Sequence, residues 1–128
     1  MKKISLHWKS SRNPRKQRKY VKNAPLHLRK KFISCNLSEE IRKLYKKKNV
    51  PVIKGDKVKI MRGQFKKIAG VVNKVDMHNI RVYVEGAEIV RKDGTKRFYP
   101  IHPSNLQIIE LKTDDKKRRA MLERNVKK

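Results

Sequence analysis

Lys54-Gly55-Asp56-Lys57-Val58-Lys59-Ile60-Met61-Arg62-Gly63, then Lys66, then Gly70-Val71-Val72-Asn73-Lys74-Val75-Asp76 decides the fold. Lys57-Val58-Lys59-Ile60 alternates polar and apolar residues, the period of a strand with one buried face. The segment from Val71 to Val75 has β composition but imperfect alternation, which predicts a bulge. The loop between them is bounded by Gly63 and Gly70 and carries Arg62, Lys66 and Lys67. Glycines there allow positive-φ turns and close approach of a backbone.

Further strands follow downstream. Ile80-Arg81-Val82-Tyr83-Val84-Glu85 alternates more cleanly than the first. Residues 89–92 and 95–99 flank Asp93-Gly94, a two-residue hairpin signal. Residues 107–111 form a last strand. Five short strands with tight turns in about 60 residues predict a small barrel, because closure removes exposed strand edges.

Upstream, Pro25 predicts the first turn of a helix over 24–33. Ser38 is placed to cap a second helix, with Glu39 and Glu40 at its positive end and Lys46 to Lys48 at its negative end. Ile41, Leu44 and Tyr45 form its apolar stripe. A third helix is expected from Thr113, with Asp114 and Asp115 in its first turn. Its apolar content (Ala120, Met121, Leu122, Val126) is thin enough that it is expected to form only against a partner.

The chain has 128 residues, 37 Lys or Arg against 11 Asp or Glu, and a formal net charge of +26. That length predicts one domain with extensions. The charge divides unevenly: residues 1–50 are net +15, 51–111 net +6 and 112–128 net +5. The expected organisation is therefore a basic N-terminal extension over 1–50, a barrel over 51–111 and a basic tail over 112–128. Residues 1–38 hold no acid at all. Between Ser5 and Asn23 the apolar residues are only Leu6, Trp8, Tyr20 and Val21, too few to offset the entropy of ordering. This arm is expected to order on a phosphate backbone. Lys9, Arg12, Arg15, Lys16, Arg18, Lys19, Arg29, Lys30 and Lys31 are its candidate RNA contacts, the arginines through bidentate forks. His7, Trp8 and Tyr20 are candidates for stacking on unpaired bases; packing of Trp8 on the core is an equal alternative.

Other classes are disfavoured. Cys35 is the one cysteine, so neither an internal disulfide nor a cysteine-based zinc site is expected. His7, His27, His78 and His102 lie at no metal-ligand spacing. The acids read as turn or strand-face charges, with Asp56 capping a turn, rather than as general acids or bases. An enzyme, a cofactor and a small-molecule substrate are not expected. No apolar run approaches the roughly 18–20 residues of a membrane span, and no apolar stretch follows Lys2 and Lys3 as a secretory signal requires.

The opening stretch resembles a KOW motif, carried by small SH3-like barrels of ribosomal proteins and transcription elongation factors. Two other stretches narrow the resemblance. They are Tyr83-Val84-Glu85-Gly86 and, after Asp93-Gly94, Tyr99-Pro100-Ile101-His102-Pro103-Ser104-Asn105-Leu106. With Asn23-Ala24-Pro25-Leu26-His27-Leu28-Arg29-Lys30-Lys31, they are similar to the large-subunit ribosomal protein twenty-four family in its archaeal form, numbered twenty-six in eukaryotes. This chain departs from the family pattern in having Lys67 where Gly is usual and Val71 where Lys is frequent. The resemblance implies a cytoplasmic, ribosome-bound structural protein. It implies binding to the 5′ domain of large-subunit rRNA early in assembly, near the exit of the peptide tunnel and beside other ribosomal proteins. It places Arg62, Gly63, Lys66 and Lys67 in the RNA-contacting loop and His102 in a matching motif. In that motif Pro103 is expected to fix the turn and Ser104 or Asn105 to cap it. A KOW module of the elongation machinery is the alternative; such modules are usually joined to another domain.

Overall fold

The computed structural model describes residues 4, 5 and 7–126; Lys2, Lys3 and Leu6 lie outside them. In chain order the elements are helix α1 (Pro14–Asn23), helix α2 (Leu26–Phe32), strand β1 (Ser34–Leu37), helix α3 (Glu39–Tyr45) and strand β2 (Asn49–Pro51). Then come β3 (Lys57–Ile60), β4 (Ala69–Asp76), β5 (Arg81–Val84), β6 (Glu88–Val90) and β7 (Lys96–Phe98). A 3₁₀ turn (Pro103–Asn105), β8 (Leu106–Glu110) and helix α4 (Lys116–Glu123) complete the fold.

Six strands form one mixed sheet in the order β2-β1-β8-β3-β4-β5, and β6 pairs with β7 separately. Alternation operates as expected. Val58 and Ile60, Val82 and Val84, and Leu106 and Ile108 point into one core while their neighbours point out. The register of β4 on β5 shifts between Val72 and Lys74, the bulge that the broken alternation predicts.

The ladder does not close into the expected barrel, since β2 and β5 end the order without pairing. A single bridge from Val82 to Ile101 instead ties the free edge of β5 to the segment leading into β8. Its two hydrogen bonds, 2.8 and 3.0 Å, satisfy edge groups that closure would otherwise satisfy.

Two strands arise where the charge division places the N-terminal extension. β1 pairs parallel with β8 and antiparallel with β2. Cys35, Leu37 and Val50 are thereby buried in the same core as the alternating strands. Burial pushes the Cys35 thiol up to about 12, with a smaller contribution from Asp56, so it stays protonated and inert.

The helices depart from expectation in instructive ways. α1 forms although it buries nothing: Asn13 Oδ1 accepts the Arg15 amide at 2.9 Å, and Pro14 occupies the first helical position. α2 spans Leu26–Phe32 within the expected helix. α3 starts after Ser38, but the Ser38 hydroxyl makes no capping bond, and Leu44 is exposed while Ile41 and Tyr45 pack on the core. α4 begins at Lys116 rather than Thr113, with Asp115 Oδ1 capping the Lys117 amide at 3.0 Å. It folds against the body of the chain. Leu122 is fully buried, worth roughly 1.5–3 kcal/mol of transfer free energy.

Asp56 fastens α4 in place. Rather than being a surface charge, it is wholly buried. It accepts the Ile53 amide at 3.0 Å, the turn-capping contact, and the Lys112 amide at 2.9 Å. Both terminal nitrogens of Arg118 reach it at 2.8 Å.

The hairpin at Asp93-Gly94 also differs from expectation. The Gly94 amide bonds to Arg91 O at 3.0 Å and the Arg91 amide to Thr95 O at 2.9 Å, so the loop is three residues, with Gly94 at φ +82°. Asp93 accepts the Thr95 hydroxyl at 2.7 Å and its amide at 3.0 Å, and these bonds hold its pKa below the usual carboxylate range.

Gly70 on β4 answers to space rather than to φ. A Cβ there would lie 2.1 Å from the Glu85 carbonyl oxygen and 3.0 Å from Val84 Cγ1. Because the first obstacle is backbone, the strand pair itself must move. Gly70→Ala is expected to destabilise by about 1–3 kcal/mol in urea unfolding. A change below about 0.5 kcal/mol would contradict the close approach.

Candidate nucleic-acid interface

The loop between β3 and β4 is built by its own backbone. The Lys67 amide bonds to Ile60 O at 2.8 Å, the Ile60 amide to Ile68 O at 2.8 Å, and the Lys66 amide to Gly63 O at 3.2 Å. The Met61 amide reaches Asn105 O at 2.8 Å, joining the loop to the 3₁₀ turn. Phe65 folds inward, its ring 5.3 Å from that of Tyr99. With the apolar residue turned in, Arg62, Lys66 and Lys67 are left exposed. Gly63 sits at φ +96° with open space around it, so its role in the loop is conformational.

Lys67 has φ +76°, a left-handed conformation that costs an L residue with a Cβ roughly 1–2 kcal/mol. Gly is the natural occupant. Lys67→Gly is expected to stabilise the fold by about 0.5–1 kcal/mol, less than the full relief because Gly is freer when unfolded. Lys67→Asn, which tolerates the same region and also lacks the charge, separates backbone strain from charge. Thermal unfolding of both variants checks it; a destabilised Lys67→Gly would exclude strain at this position.

The N-terminal candidates divide. Lys9 and Arg12, Arg15, Lys16, Arg18 and Lys19 on and before α1, and Lys30 and Lys31 on α2, are all exposed. Arg29 is not: it is 8% exposed, and its guanidinium donates to Ala24 O at 2.8 Å, to Lys22 O at 2.7 Å and to His78 O. It clasps α1, α2 and the β4–β5 turn together, with its fork turned inward, and drops out of the interface. Trp8 and Tyr20 likewise engage each other, stacked at 4.6 Å and 11°, with Phe32 edge-on to Tyr20 at 6.2 Å. Trp8 thus packs on α1 rather than on the core, the alternative expected for it. The contact joins Trp8 to α1 and, through Tyr20, to Phe32 of α2.

His102 is a structural cap. Its Nδ1 lies 2.8 Å from Ser104 Oγ and accepts the Ser104 amide at 3.3 Å, so His102, rather than Ser104 or Asn105, caps the turn that Pro103 begins. Burial, and then the charge of Arg81, hold its pKa below the ordinary histidine value.

The structure does bring Arg62, Gly63 and His102 to one place, the lining of a cleft of about 140 Å³. Arg81 and Tyr99 line it too. Sequence reasoning did not select these two. The signal for Arg81 was present, as the outward position next to Val82 in an alternating strand.

A sheet-rich body with exposed cations on its loop and its N-terminal helices belongs to the class of small basic proteins that lie against a polyanion. The family described as the eukaryotic ribosomal proteins L26 and their archaeal counterparts, numbered twenty-four, matches residues 11–125, and the chain belongs to that family. It is a ribosomal protein of the large subunit. Among the described residues no helix is long and apolar enough to cross a membrane.

Proposed function

We propose that this chain is a structural constituent of the large ribosomal subunit that binds the 5′ domain of its rRNA early in assembly, near the exit of the peptide tunnel. Binding works by phosphate neutralisation and shape. The exposed cations of α1, α2 and the β3–β4 loop lie along the phosphate backbone and release its counterions. The sheet holds that loop in a fixed shape. Residues 51–111 are of the SH3-like KOW type in this reading, which the bridge from Val82 to Ile101 supports by linking β5 back toward β8.

One observation carries the proposal beyond family membership. α1 presents Arg15, Lys16, Arg18, Lys19 and Lys22 to solvent and buries none of its residues. A helix that puts no residue of its own in the core, in a segment without a single acid, suits an external anionic surface.

Co-sedimentation of the tagged chain through a salt-washed gradient tests it. Migration with the large subunit, and protection of its 5′-domain rRNA in a footprint, are expected. Absence from that fraction and migration with RNA polymerase would replace this reading with the elongation-module one.

A further inference from the structure

Beside the cleft at Arg62 and Arg81 lies a second groove of about 410 Å³, and Tyr99 and Pro100 line both. The second groove is walled by Tyr83, Phe98 and Tyr99, with Arg91 and Arg97. The fold explains the gathering. On β5, Val82 and Val84 are buried, so Arg81 and Tyr83 share the opposite face, two residues apart. On the hairpin, Arg97 pairs across from Ile89, and Arg91 and Tyr99 lie two residues further on the same face. Four aromatic side chains, Phe65 among them, and four arginines thus come from β5, the hairpin, the β3–β4 loop and the segment after β7.

The charge of this surface is selective. Neither lining contains an acid. All its cations are arginine, although the chain holds 25 Lys against 12 Arg. Among the described residues, none of the four guanidinium groups has a hydrogen-bond or ion-pair partner in the chain. Lysine suffices to neutralise phosphate. Arginine is the residue that also stacks on a flat π-system and forks onto phosphate oxygens. Tyr99 is 38% exposed although its ring packs on Phe65, so part of an aromatic surface remains open to solvent.

We propose that this double groove holds one unstacked nucleotide of single-stranded or bulged RNA. The base stacks among Tyr83, Tyr99 and Arg97, and the flanking phosphates are held by Arg62 and Arg81. Aromatic stacking with arginine at the rim is the chemistry by which proteins capture unpaired bases. An acidic protein segment would satisfy the arginines and leave the aromatic walls unused. The inference rests on the rRNA-binding reading and adds to it a site for an unpaired base, distinct from the phosphate contacts of α1 and α2.

The full chain is titrated with two fluorescein-labelled RNAs: a duplex with a single-nucleotide bulge, and the same duplex fully paired. The wild type is expected to prefer the bulged RNA by about tenfold, the worth of one base–aromatic stack. Tyr99→Leu is expected to abolish the preference and Tyr99→Phe to keep it. Arg97→Gln is expected to weaken binding to the bulged RNA alone, and Arg81→Gln to lower the salt slope by about one. Wild-type protein that binds both RNAs equally, with steep salt dependence, would overturn the base site and leave the rRNA reading standing. Failure to bind either RNA would strike the rRNA reading itself. A 4-thiouridine at the bulge provides a readout on the wild type alone, free of any folding defect in a variant. Its crosslink is expected on the peptide containing residues 97–100. Crosslinks confined to α1 or α2 would refute the site.

Discussion

Asp56→Ala is expected to cost about 3–5 kcal/mol in equilibrium unfolding, the loss that follows when one partner of a buried ion pair is removed. The size follows from what remains. Arg118 is 6% exposed, and its charge would stay beneath α4 with Lys112 O at 3.1 Å and Pro51 O at 3.4 Å as its remaining acceptors. The Lys112 and Ile53 amides would lose their acceptor as well. Arg118→Met is expected to be milder, because the carboxylate keeps both amide donors and a methionine fills the space of the guanidinium stem. The double variant Asp56→Ala with Arg118→Met is expected to lose less than the sum of the two single losses, since neither charge is then stranded. Limited proteolysis adds a structural readout: Asp56→Ala should expose the 112–123 segment to cleavage before the sheet unfolds. Stability of Asp56→Ala within about 1 kcal/mol of the wild type would mean that the pair does not fasten α4.

Affinity for rRNA is expected to fall by roughly 10³–10⁵ between 50 and 200 mM salt, as for any protein neutralising about 6–10 phosphates. The exposed candidates supply that number without Arg29, which is bound inside the protein. Reversing the charge of Lys66 and Lys67 together, by Lys66→Glu and Lys67→Glu, is expected to weaken binding and reduce the salt slope by about two. Neither side chain packs in the core, and Glu at position 67 meets the same backbone restriction as Lys, so circular dichroism should match the wild type. Filter binding over a salt series checks both statements. A flat salt response would exclude phosphate neutralisation as the source of affinity. A normally incorporated double variant would remove the β3–β4 loop from the interface.

Strand period was the most legible signal. Residues 57–60, 81–84 and 106–110 alternate because each has one face on the core and one in water. β1 escaped that reading. Ser34-Cys35-Asn36-Leu37 alternates over four residues, as β3 does, but it has no β-branched or aromatic residue to mark a strand and sits between two helical patterns. α1 escaped for the opposite reason: with no buried face it has no apolar stripe, and only the Asn13-Pro14 start marks it. The expected closure failed because alternation specifies which face of a strand is buried. It says nothing of which edge meets which.

The candidate site followed the same division. Cations in an acid-free arm were visible as composition, and most of them are exposed. Arg29 lies among them with nothing in its neighbours to show that its guanidinium ends on three carbonyl oxygens. One of these belongs to His78, 49 residues away. Asp56 and Arg118, 62 residues apart, were equally unreadable as a pair.

The sequence by itself determined the period of the strands, the sign and segregation of the charge, and the resemblance to a family. Each of these is a property of residue types at short spacing. Only the tertiary structure decided which cations are free, which is bound at Asp56, and that arginines and aromatics from four segments share one groove. Burial and partnership depend on neighbours that the chain brings together across dozens of residues, and no local pattern records them.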